Sequence, residues 1–147
     1  MIQSFFLIDK TGVCYLSRNY ADLEFDDALL GGFLAAIESL GTKLFKEEGA
    51  INEIDYGHSK FVYAVDSENE LIAVAIIDKT DDSIPIKNAL SELLEEFTTI
   101  FNVERLKKGD LFGIKEFYPF VDMKFQGAPI KEKKDFISKM NKLMDSF

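Results

Sequence analysis

The sequence is poor in the residues that build disulfides and metal sites. Its 147 residues include no Trp, one His, one Cys and three Pro. The lone Cys14 excludes an internal disulfide, and His58 alone excludes a multi-histidine metal centre. Bases are also scarce, with 17 Lys and Arg against 26 Asp and Glu. The resulting net charge of −9 disfavours nucleic acid and anionic membrane surfaces as partners.

Long apolar runs are absent as well. No stretch reaches the roughly 18 apolar residues of a membrane span, and the opening MIQSFFLIDKTG has no basic leader. A single cysteine fits a reducing compartment. We therefore expect a cytoplasmic protein without membrane insertion. The length suits one domain, residues 1–147, with a substantial core.

The common signatures of catalysis and nucleotide binding are also missing. The chain has no G-x-S-x-G nucleophile turn, no phosphate-binding G-x-x-x-x-G-K-[ST] loop and no G-x-G-x-x-G. The acidic run 78–83, DKTDDS, misses the spacing and the glycine of a calcium loop, so we interpret it as a solvated loop with a helix cap. The sequence predicts a protein that is not an enzyme, with no cofactor and no metal.

Hydrophobic periodicity predicts five strands and three helices. The apolar run 2–9 and the partly alternating run 13–20 form a hairpin around the turn Asp9–Gly12. A helix follows from Asp26 or Asp27, and later runs predict strands, a second helix through Phe101 and a closing helix. These later elements are an edge strand at 50–59, strands at 60–65 and 71–78 joined by a polar hairpin loop, a helix beginning at 81–83, and a last helix at 130–147.

This order predicts an α+β fold: a five-stranded antiparallel sheet with one helix on one face and two helices on the other. Residues 102–129 carry several helix breakers, so we expect an irregular segment there. Its aromatic residues need covering, so the segment should lie on the body of the protein. The residues expected to be covered are five aromatic residues and one valine: Phe112, Phe117, Tyr118, Phe120, Val121 and Phe125.

The first helix is unusually apolar around its circumference. A helical wheel places one apolar stripe toward the sheet and a band of small residues beside it. Two adjacent glycines in a helix interior suggest close approach of another backbone. Either the small band packs on the protein's own sheet, or it faces a second subunit, which we favour. The stripe is Leu29, Phe33, Ile37, Leu40 and Leu44, and the band is Ala28, Gly32, Ala35, Ala36 and Ser39.

The order of elements and four segments resemble the longin domains of trafficking proteins and their archaeal relatives, which group with roadblock domains in a profilin-like superfamily. The segments are FFLIDKTGVCYLSRNY, DDALLGGFLAAIESLG, KFVYAVDSENELIAVAIID and, more loosely, LFGIKEFYPFVDMKF. The resemblance implies a non-enzymatic interaction module that binds or regulates small GTPases in trafficking-type complexes, as a homodimer or a longin/roadblock-type heterodimer.

The resemblance implies contacts through the first helix, a neighbouring edge strand, or both. The partner-binding residues expected on this basis are Ala28, Leu30, Gly31, Gly32, Leu34, Ala35, Ser39, Ile51, Glu53 and Tyr56. The alternative is a small-molecule sensor domain of profilin-like or PAS-like architecture, with a ligand in the Phe-rich interior.

Overall fold

The computed structural model describes residues 2–21, 27–45, 53–126, 140 and 142–144. Their elements follow one another in the order of two strands, one helix, three strands and then helices. The bounds are β1 (Ile2–Asp9), β2 (Cys14–Asn19), α1 (Asp27–Phe45), β3 (Glu53–Tyr56), β4 (Ser59–Asp66), β5 (Leu71–Asp78), α2 (Ser83–Ile100), α3 (Val103–Lys107), a 3-10 helix (Ile114–Phe117) and α4 (Tyr118–Gln126).

The strands form one antiparallel sheet in the order β2-β1-β5-β4-β3. β5 occupies the centre because seven of its eight residues are buried, so both of its faces need cover. β3 is an edge strand, as the sequence predicts, but it is only four residues long. Ser59, assigned to that strand from the sequence, begins β4 instead, because Gly57 adopts a positive φ of 62° and turns the chain.

Each face of the sheet carries its own core. Phe6, Ile8 and Leu34 belong to the core under α1, whereas Phe5, Phe97 and Phe117 belong to the larger core on the opposite face. That second face is covered by α2 and α4, so the predicted distribution of one helix and two helices is confirmed. The second helix there is α4. The predicted helix 130–147 lies almost entirely outside the described residues, although 140 and 142–144 are helical.

Residues 103–126 are more regular than the sequence suggests. They form α3, the 3-10 helix and α4, so the expectation of an irregular segment is wrong for this part. The breakers Gly109 and Gly113 instead lie in the turns, with positive φ values of 90° and 76°. The segment does lie on the body, because Phe117 and Val121 are buried. Phe112 contradicts the expectation of cover, since it is 90% exposed.

Helix α2 begins where its cap predicts. The Asp82 side chain accepts a hydrogen bond from the Ile84 N–H at 3.1 Å, which satisfies one of the orphan donors of the first turn. Leu90, Leu93 and Phe97 then fall on one helical face and are buried. The acidic loop before α2 therefore supplies the helix cap that the sequence predicts.

Candidate interaction surface

The tight turn between β1 and β2 positions α1. Asp9 is buried, and its Oδ1 accepts hydrogen bonds from the N–H groups of Thr11 and Val13 and from the Thr11 hydroxyl. The Tyr15 hydroxyl donates to its Oδ2 at 2.9 Å. Burial alone raises the pKa of Asp9, but these hydrogen bonds outweigh it and leave the pKa below its ordinary value. The carboxylate thus fixes a turn whose Gly12 takes a φ of 95°.

That turn meets α1 at the paired glycines. A Cβ atom added to Gly31 would lie 2.4 Å from the Gly12 carbonyl oxygen, and a Cβ on Gly12 would lie 2.9 Å from the Gly32 Cα. The backbones of the Gly12 turn and of α1 are therefore too close for a side chain at Gly12 or Gly31. The adjacent glycines in the sequence predict such a close approach. The approaching backbone belongs to this chain. For Gly31, the close contact is therefore with the protein's own turn and not with a second subunit.

The face of α1 that meets the sheet differs from the predicted one. Leu34, Ala35 and Glu38 are buried, with exposures of 2%, 7% and 6%. The predicted stripe points the other way, because Phe33 is 49% exposed, Leu40 52% and Leu44 66%. Contact at Gly31 forces this rotation, since only the glycine side of the helix can approach the Gly12 turn closely.

The outer face of α1 is an apolar strip without cover from the described part of the chain. We call it the α1 outer face and define it as Gly32, Phe33, Ala36, Leu40 and Leu44, all exposed. A Cβ added to Gly32 would meet no atom within 4 Å, so this glycine borders open space. Three large exposed apolar side chains on one line of a helix are typical of an interaction surface.

The structure separates the ten predicted partner-binding residues into three groups. Gly32, Ser39 and Glu53 are exposed. Leu34, Ala35 and Gly31 are buried by the protein's own sheet and turn, and Leu30 is half-buried beside them. The assignment of all ten residues to a partner surface stays a prediction. Ile51 and the side chains of Ala28 and Tyr56 lie outside the described residues.

The two edges of the sheet differ in what covers them. At the β2 edge, α4 seals the strand: the Ser17 N–H donates to the Tyr118 hydroxyl at 3.1 Å. The Arg18 guanidinium donates to both oxygens of Asp122, at 2.9 and 2.6 Å, and lies over the Tyr118 ring.

The Tyr20 hydroxyl also donates to Asp122, at 2.5 Å. Burial, together with this carboxylate, raises the Tyr20 pKa, and the hydrogen bond to Asp122 raises the pKa of Arg18. At the other edge, β3 pairs with β4 alone among the strands of the sheet.

Sequence reasoning missed Phe33, Leu40 and Leu44 as surface residues because α1 is apolar on both sides. One signal could have found the true orientation. Gly31, Ala35 and Gly41 are small residues on the buried side of α1, and small residues allow a helix to approach a sheet closely.

A five-stranded antiparallel sheet with α1 on one face and two helices on the other is a longin-like fold. The sequence matches no protein-family model, and no curated protein matches it. Among solved structures, Myxococcus xanthus MglB is similar, with a TM-score of 0.54 and 20% identity over 67% of this chain and 85% of MglB.

A chain in a homology model of the full-length AP-3 complex, in a stretched open conformation, superimposes over almost the whole molecule. Its TM-score is 0.63 at 14% identity, covering 99% of this chain and 95% of that one. At such identities the two likenesses establish the fold alone.

The described ranges lack both a cluster of metal ligands and a membrane-spanning helix. No cluster of three or more His, Cys, Asp or Glu side chains there could hold a metal ion. No described helix is both long and apolar enough to cross a membrane.

Proposed function

We propose that this chain is a non-enzymatic protein-interaction module that dimerises through the α1 outer face. The observation that carries the proposal is the exposure of Phe33, Leu40 and Leu44 along one line of a 19-residue helix. Full burial of such a side chain is worth about 1.5–3 kcal/mol, and roughly half of that remains to be gained at each of these half-exposed positions. A second copy of α1, or the corresponding helix of another longin- or roadblock-type chain, would cover the strip.

The role in the cell follows from the resemblance to longin and roadblock domains. It supports participation in cytoplasmic complexes that bind or regulate small GTPases. AP-3 is a complex by its name, which agrees with a module that works beside other subunits. A pull-down with small GTPases loaded with GDP, loaded with a GTP analogue, or nucleotide-free tests this role. Absence of binding in all three states would reject GTPase binding and leave dimerisation intact.

Light scattering at micromolar concentration tests the dimer. We expect a mass of twice the 16.7 kDa chain, and a mass of one chain would contradict the proposal. Gly32→Leu adds bulk to the α1 outer face and should give folded monomers, because a Cβ atom at this position meets no atom within 4 Å. The matched control is Ile84→Lys, at an exposed isoleucine in the first turn of α2, which should stay dimeric.

A further inference from the structure

We draw no further inference here: the strongest candidate, the apolar surface patch beside α3 on which Val13, Ile100, Leu111 and Phe112 are exposed, carries nothing because no feature of the described residues shows what covers it.

Discussion

At the scale of single residues, two adjacent glycines have different roles. Gly31 allows the backbone of the β1–β2 turn to approach α1, whereas Gly32 faces open space on the outer side. The sequence alone does not distinguish these two roles. Both follow from one rotation of the helix, which presents the first glycine to the turn and the second to solvent.

Gly31→Ala and Gly32→Ala should therefore shift stability in opposite directions. The methyl group at position 31 would collide with the Gly12 carbonyl oxygen, and such overpacking costs about 1–3 kcal/mol. The methyl group at position 32 meets no atom, so the better helix propensity of Ala should stabilise the monomer by about 0.5–1 kcal/mol. Urea denaturation at low protein concentration measures both. Equal losses in the two variants would contradict the contact.

Asp9 provides a test by pH. Its pKa is lowered in the folded state from the value of 3.8 expected for an unfolded chain. Its stabilising contribution is thus present above that value and is lost as the pH falls through the lower folded-state pKa. Asp9→Asn should be less stable near neutral pH, by about 1–3 kcal/mol for weakened charged hydrogen bonds. Its unfolding free energy should also fall less between pH 5 and 2 than that of the unaltered protein, as followed by circular dichroism.

At the scale of elements, α4 acts as the cover of the β2 edge. An edge strand presents unpaired N–H groups that can recruit another chain, and here Tyr118 accepts the Ser17 N–H. Asp122 then joins α4 to β2 through Arg18 and Tyr20. This arrangement leaves β3 as the edge whose outer side has no strand neighbour among the described residues.

Asp122→Ala should loosen α4 without unfolding the sheet. The change removes the acceptor of both Arg18 and Tyr20, at a cost of about 1–3 kcal/mol. The lower end is expected because the Arg18 side chain is 41% exposed. Hydrogen exchange at the Ser17 amide should accelerate while the amides of β5 keep their protection. The control is Glu92→Ala, which removes the exposed ion pair with Lys124; comparable acceleration there would argue against a specific role for Asp122.

At the scale of the whole molecule, the protein is acidic overall but has an apolar α1 outer face. Each chain carries a net charge of −9, so two copies repel each other at long range. The proposed contact is made by the apolar side chains of the α1 outer face. Long-range repulsion is screened by salt, whereas burial of apolar surface is not.

The dimer should therefore tighten as salt rises. Sedimentation equilibrium between about 0.1 and 1 M NaCl should give a dissociation constant that falls as the salt concentration rises. Leu40→Lys places a charge in the strip and should abolish dimerisation at every salt concentration. A dimer that dissociates in high salt would instead indicate ionic contacts and would contradict an apolar interface.

The sequence alone determined the order of the elements from β1 to α2 and the layer arrangement of the fold. Alternation and apolar runs identify β1, β2, β4 and β5, and the apolar spacing of α2 with its Asp82 cap identifies that helix, because these signals depend on neighbours along the chain. The lone cysteine and lone histidine likewise limit the chemistry available before any coordinates are known.

The tertiary structure decided which side of α1 faces the sheet and where residues 103–126 become helical. On a helix with apolar residues on both sides, periodicity cannot select a face. The choice depends on how closely Gly31 can approach Gly12, a distance between residues far apart in sequence. For the same physical reason Phe33, Leu40 and Leu44 are exposed, although the sequence pattern predicts that they face the sheet.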